Sequence, residues 1–339
     1  MTACLSMPRL YAIAPIYVLS QIPRLKECMK EFALPGMQVK SVDLPMEFNK
    51  NVQLTEEQLK EVELAEIVVC DKFILANTYK HLPNLKWAHC TWAGLEDLFD
   101  AIPEQPKFMI TRHAGEAFSA IMAEYVMCQI LNHERSNKTH WKNQEAKTWQ
   151  RVDRFETYRS LDELTVGILG VGSMGTGVAM FLEPRGTTLL GFCRTQRASF
   201  DHYFKSISIH LEEILPHCDY IINTLPSTPS TKGILNKCML KHCSKKPVFI
   251  NVGRGDVISE YELVHALSNE WISAAVLDVF EEEPLPESSQ LWKIPQVTIT
   301  PHVAAVSKPE HVAKEFFKKV KDYIDGDEIK NTVNWNLRY

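Results

Sequence analysis

The chain has 339 residues, of which 45% are hydrophobic and 23% charged, and a formal net charge of −5. That length exceeds one ordinary core and points to two domains, while the acidic balance argues against a nucleic-acid partner, which needs a basic face. No apolar run approaches the ~20 residues that span a bilayer, and residues 1–22 lack the continuous apolar core and cleavage site of a secretory signal. The chain is therefore expected to start near Met1, to have no membrane partner and to be cytoplasmic.

In chain order, an apolar run at residues 10–14, alternation at 37–42 and further buried runs at 67–70 and 85–89 read as strands. Helix-favouring stretches at 25–32 and 56–64 separate them. Such alternation predicts a parallel sheet with helices on both faces. Residues 117–147 then place Ile121, Tyr125, Cys128 and Leu131 at helical spacing with no Pro or Gly, which predicts one long helix. It reads either as a domain link and dimer element or as a plain surface helix. Strands follow at 165–169, 188–193, 220–223, 248–251, 274–277 and 297–300, with helical segments between them and a loop at 281–286.

The nine cysteines form no Cys-x-x-Cys pair, and Cys238, His242 and Cys243 lack a second pair at metal-site spacing. Buried free thiols in a reducing compartment are expected, and no metal.

Gly170-Val171-Gly172-Ser173-Met174-Gly175 lies between a strand and a helix, the setting a dinucleotide fingerprint requires. Gly170 suits the tight turn, Gly172 a close approach of backbone to pyrophosphate, and Gly175 close packing of helix on strand. Ser173 and Met174 open the helix, whose N–H groups face the anion. The bland alternative is a Gly-rich turn without a ligand. Where an NAD enzyme usually carries Asp or Glu for the ribose, this chain reads Cys193-Arg194-Thr195-Gln196-Arg197. Arg194, Thr195 and Arg197 suit a 2′-phosphate, so NADP(H) is expected to be preferred, with NAD(H) possible. A solvated basic loop is the alternative.

Three segments end at or just past predicted strands: residues 251–255 with Arg254, residues 277–284 with Glu283, and Thr300-Pro301-His302. Reducing a 2-oxoacid needs a cation for the carboxylate and carbonyl and a proton donor for the developing alkoxide. Arg254 suits the first task and His302 the second. Glu283 suits orienting His302, since a neighbouring anion favours a charged imidazole. Singly each is ordinary, because a lone His is more often structural and an acidic run more often solvated. Their order behind a dinucleotide fingerprint argues against coincidence.

On these residues the chain resembles the D-isomer-specific 2-hydroxyacid dehydrogenase family. The resemblance rests on the glycine fingerprint, the Val-Gly-Arg-Gly segment, Asp278-Val279-Phe280 with Glu283-Pro284, and Thr300-Pro301-His302. It covers residues 92–305 well and residues 1–85 loosely. It implies that Arg254 binds substrate, His302 is the general acid/base and Glu283 pairs with His302. It also implies two doubly wound, Rossmann-like α/β domains with a cleft between them. Residues 1–112 and 303–339 would form the substrate domain, and 113–302 the dinucleotide domain. The loop Trp92-Ala93-Gly94 resembles the family segment that holds the substrate carboxylate. The cofactor site is expected to extend to Leu225, Pro226, Val252, Gly253 and Asp278.

Several features resemble the glyoxylate/hydroxypyruvate reductase branch: Trp92-Ala93-Gly94, residues 123–126, Gln144 with Trp149, the basic loop at 194–197, and the end Val333 to Tyr339. In detail that end departs from the branch by reading Asn-Trp-Asn-Leu-Arg-Tyr after Val333. The expected activity is NADPH-dependent reduction of a small 2-oxoacid by a homodimer. The alternatives are an NADH-linked dehydrogenase of a bulkier hydroxyacid and a dinucleotide-sensing scaffold similar to corepressors.

Overall fold

Two all-parallel sheets carry the chain, each with short inner strands buried on both faces and less buried strands at its edges. The computed structural model describes residues 14–45, 52–151, 159–194 and 202–338. Most of the expected strand at 10–14, together with Thr195 and Arg197, lies outside the described residues. The chain divides into a unit of Met1–Gly115 with Ser307–Tyr339 and a unit of Glu116–Val306.

The first unit contains β1 (Ile16–Leu19), α1 (Leu25–Glu31), β2 (Val39–Ser41), α2 (Glu56–Val62), β3 (Ile67–Cys70), α3 (Lys72–Thr78), β4 (Trp87–Cys90), α4 (Glu96–Ala101) and β5 (Met109–Arg112). The strand order is β2-β1-β3-β4-β5. Side chains alternate across a strand, so Ile16, Val18, Ile67 and Val69 enter one core layer while Tyr17, Leu19, Val68 and Cys70 enter the other. The helices α3 and α4 follow their strands after one to a few residues; they are short, and their apolar residues blend into neighbouring runs in the sequence.

The second unit opens with α5 (Glu116–Glu134) and α6 (Asn137–Glu145). The single long helix expected over 117–147 is therefore two. The break falls at Ser136, whose φ of 53° is left-handed. Asn132, Ser136 and Asn137 favour local side-chain hydrogen bonds over a continued helix, and Asn137 Nδ2 donates to Asn132 Oδ1 at 2.7 Å. The last turn of α5 is pinned through buried Glu134, which accepts from Tyr220 Oη at 2.6 Å and from Arg159 Nη2 at 2.7 Å.

Then come β6 (Thr165–Leu169), α7 (Ser173–Leu182), β7 (Thr188–Phe192), β8 (Ser206–Ser208), β9 (Tyr220–Asn223), β10 (Val248–Asn251), α8 (Glu260–Ser268), β11 (Ala274–Leu277) and β12 (Val297–Ile299). The order is β12-β11-β10-β9-β6-β7-β8. It runs outward in both directions from β6, so the switch point lies between β6 and β9. Open parallel sheets bind ligands at such a point, beyond the strands' carboxyl ends. Between β9 and β10 the connection includes only a short 3-10 turn at Met239–His242 among the described residues, in place of the helix expected there.

Finally α9 (Pro309–Asp325) returns to the first unit. Its Val312, Ala313, Phe316, Phe317 and Val320 recur at helical spacing and pack on Ile16, Val18 and Trp87. Glu315 and Lys319 on the same helix are also inside, paired with one another, and Glu315 Oε2 lies 2.6 Å from Nδ1 of buried His113. No helix among the described residues is long and apolar enough to cross a membrane. Every described cysteine is a free thiol, most of them buried, with Cys128 exposed.

Candidate active site

The turn after β6 has the geometry of an anion cradle. Gly170 takes a φ of +103°, and a Cβ at Gly175 would sit 2.0 Å from the Gly170 carbonyl oxygen. Neither position admits a side chain without moving the turn. Thr224 Oγ1 donates to that same carbonyl at 2.9 Å, tying the turn to the end of β9. Gly172 caps α7 without a side-chain hydrogen bond, and a Cβ there would meet nothing within 4 Å. The first-turn N–H groups of α7, beside exposed Gly172 and Ser173 and half-buried Met174, thus face open space with the positive end of the helix dipole. These residues fit a dinucleotide pyrophosphate.

Two asparagines staple the neighbouring loops. Asn223 Nδ2 donates to Asn251 Oδ1 at 2.8 Å, and Asn251 Oδ1 also accepts from Gly253 N at 3.2 Å. Asn223 Oδ1 accepts from Leu225 N at 3.2 Å, and Asn251 Nδ2 donates to the Arg254 carbonyl at 3.1 Å. Leu225, Val252 and Gly253 are buried, Pro226 is half-buried, and Arg254 is half-exposed with Nη1 on the Gly253 carbonyl at 2.7 Å. The sequence reading gave neither asparagine a role, although an amide at the end of two adjacent buried strands is a signal for such a staple.

His302 Nδ1 lies 2.7 Å from Glu283 Oε2, and Glu283 Oε1 accepts from Phe280 N at 2.9 Å. Burial by itself pushes the Glu283 carboxyl up. The hydrogen bonds from His302 and Phe280 and the charges of His302 and Arg254 outweigh it, leaving the group below its ordinary value. His302 has a φ of +55°, which costs a non-glycine residue roughly 1–2 kcal/mol. Asp278 holds it there. Its carbonyl accepts from His302 N at 2.8 Å, and its carboxylate accepts from Val303 N, Ala304 N and Thr300 Oγ1. The Asp278 side chain is 1% exposed, so it shapes the His302 loop from within rather than presenting a carboxylate at the surface.

In the first unit, half-buried Trp92, Ala93 and Gly94 follow β4. Arg112 Nη1 donates to the Ala93 carbonyl at 3.0 Å, and Ser307 Oγ donates to the Thr91 carbonyl at 2.6 Å. Trp92 meets Phe73 edge-on at 5.7 Å, with Lys72 Nζ 5.6 Å from its ring. Buried Asp71 anchors the loop by accepting from Thr91 Oγ1, Ser20 Oγ and Gln21 N. Burial pushes its carboxyl up, and those hydrogen bonds pull it part of the way back.

Arg194, from the basic loop, is exposed. Cys238 lies with Glu262 and His265, their ligand atoms within 4.8 Å of one another. Glu262 uses both oxygens to accept the N–H groups of Lys237 and Cys238, each at 3.1 Å.

Residues 127–304, more than half of the chain, match the model for the D-isomer-specific 2-hydroxyacid dehydrogenase NAD-binding domain. Solved structures agree. A D-isomer-specific 2-hydroxyacid dehydrogenase from Xanthobacter autotrophicus, in complex with NADPH and MES, is 27% identical with a TM-score of 0.80, over 97% of this chain and 100% of that one. An NADPH-dependent glyoxylate/hydroxypyruvate reductase from Sinorhizobium meliloti, in complex with NADP and sulfate, is 26% identical with a TM-score of 0.79, over 96% and 100%. A family member from Aeromonas salmonicida is 29% identical with a TM-score of 0.78, over 95% and 99%. The chain belongs to the D-isomer-specific 2-hydroxyacid dehydrogenase family, an NAD(P)-dependent enzyme family.

Proposed function

We propose that this enzyme reduces a small 2-oxoacid of the glyoxylate or hydroxypyruvate type to the D-2-hydroxyacid, using NADPH. The observation that carries the reading is the pair of His302 Nδ1 and Glu283 Oε2 at 2.7 Å, beside Arg254, whose charge reaches Glu283.

A dinucleotide held at the Gly170–Gly175 turn would supply the hydride for C2 of the oxoacid. Glu283 holds the Nδ1 side of His302, which leaves Nε2 to carry the proton delivered to the carbonyl oxygen as alkoxide develops. Arg254 offers a planar fork to the carboxylate and carbonyl of the oxoacid. The loop of Trp92, Ala93 and Gly94 is assigned to the carboxylate as well. The pyrophosphate is assigned to Gly172, Ser173 and Met174, with Gly170 and Gly175 shaping the turn and Leu225, Pro226, Val252 and Gly253 lining the site. Asp278 is assigned to holding that wall and the His302 loop.

NADPH is favoured by Arg194, with Thr195 and Arg197 beyond it in sequence, and by the absence of a carboxylate in that stretch. NADP-bound relatives support the same preference. Cytoplasmic placement and a homodimer belong to this reading, the latter checked by the mass in solution. Chiral analysis of the product tests the function: hydroxypyruvate with NADPH yields D-glycerate, and racemic or L-product would refute the assignment.

A further inference from the structure

We propose that Tyr125, on α5, is a positioning residue for His302, acting through Thr300 and Asp278. The inference rests on the assignment of His302 as proton donor and adds a residue outside the reacting groups.

Tyr125 Oη lies 2.6 Å from Thr300 Oγ1, which in turn lies 2.6 Å from Asp278 Oδ1. Thr300 has one hydroxyl proton, and it goes to Asp278. Tyr125 is therefore the donor in the first bond. Burial pushes the Tyr125 phenol up to about 12, so it keeps that proton at any working pH.

The far end of this chain of bonds is the loop of His302. The amides of residues 302, 303 and 304 all end on Asp278, one on its carbonyl and two on its carboxylate. His302 is the member of that loop with a left-handed backbone, a conformation that persists only when its surroundings over-determine it. Tyr125 braces Thr300, the residue at the start of the same loop, from a different element. It thus sets how firmly the imidazole is presented to Glu283 on one side and to substrate on the other. Nothing in the local sequence joins the two, since 175 positions separate Tyr125 from Thr300.

The test compares wild-type enzyme with Tyr125→Phe, which keeps the ring and removes one oxygen, and with Thr300→Val and Thr300→Ser. Tyr125→Phe is expected to lower kcat about 3–10-fold with the KM for NADPH unchanged, since a misplaced group costs rate rather than binding. Thr300→Val lowers it further, and Thr300→Ser restores wild-type kcat. The imidazole 15N shifts of His302, identified by their loss in His302→Gln, give a readout independent of turnover. In the neutral ring of wild type they report the tautomer with its one remaining proton on Nδ1, facing Glu283. In Tyr125→Phe and Thr300→Val they move toward the mixture of a free imidazole. Wild-type tautomer shifts in both variants would overturn the proposal, as would wild-type kcat in both. A wild-type enzyme inactive on every oxoacid would refute the function reading instead, and the tautomer shifts would still decide the role of Tyr125.

Discussion

Glu283 holds His302 with one oxygen and is itself held by the other. Oε2 lies 2.7 Å from His302 Nδ1, while Oε1 accepts the Phe280 N–H at 2.9 Å. A carboxylate tethered at both oxygens cannot swing away, so it fixes the ring orientation and keeps a proton on Nδ1. Replacing Glu283 with Gln removes the anion and keeps the size. The expected outcome is a fall in kcat of up to about 10⁴-fold, as when the carboxylate that orients a catalytic histidine becomes its amide, with NADPH affinity unchanged. Steady-state kinetics with a parallel binding titration checks both halves.

His302→Ala is expected to lower turnover by about 10²–10⁴-fold, the usual worth of a positioned general acid. NADPH binding, followed by its fluorescence, stays at the wild-type level because the cradle at Gly170–Gly175 is made by other elements. Undiminished turnover would remove His302 from the mechanism.

Arg254→Lys keeps the charge and loses the planar fork. The expected result is a higher KM for the oxoacid together with a lower kcat, since one ammonium cannot grip the carboxylate and carbonyl at once. An unchanged substrate response would refute Arg254 as the clamp.

Most described strands of the second unit were legible because a strand buried on both faces reads as one apolar run bounded by turns. Tyr220–Asn223, Val248–Asn251 and Ala274–Leu277 show this directly. The edge strand Ser206–Ser208, polar and incompletely buried, was not legible. The glycine turn was legible for a local reason as well, since its steric demands fall within six consecutive residues. Bonds between distant positions were not. Asn223 with Asn251, and Tyr125 with Thr300, join elements whose adjacency is set by sheet order and helix packing. Nor was the break at Ser136 read, because no Pro or Gly marks it; the local bonds of Asn132 and Asn137 and the buried contacts of Glu134 decide it. The role of Asp278 was hidden for the same reason. Its three side-chain hydrogen-bond donors lie more than 20 residues further along the chain.

Glu315 sets a stability test away from the site. It is mostly buried and accepts from Lys319, from His113 and from Gly115 N at 3.1 Å. Burial pushes its carboxyl up, but His113 and Lys319 outweigh this and hold it well below the usual carboxylate range. Burial lowers Lys319 against the pull of Glu315; the anionic carboxylate, with three donors, is the firmer charge of the pair. Glu315→Ala leaves Lys319 buried without its anion and is expected to cost about 3–5 kcal/mol, read from the urea midpoint.

The same residues give the acid limb of stability its sign. A depressed carboxyl contributes stability that is complete above its unfolded value of about 4.3 and is lost as pH falls through the folded value. Buried His89 is depressed too, through burial first and the charge of Lys319 second. Its contribution begins to fade below about pH 6.5, where the unfolded state binds a proton that the folded state refuses. Thermal melts from pH 8 to about 2 should therefore fall in two stages, and His89→Gln should flatten the first.

The most direct test is the initial rate of NADPH and NADH oxidation by the purified protein, measured in parallel with glyoxylate, hydroxypyruvate, pyruvate and a bulky 2-oxoacid. Rapid NADPH consumption with glyoxylate and hydroxypyruvate, and much slower rates with NADH or the bulky acid, is the predicted result. Tight NADPH binding with no turnover of any oxoacid would contradict it and leave a dinucleotide-sensing protein in its place.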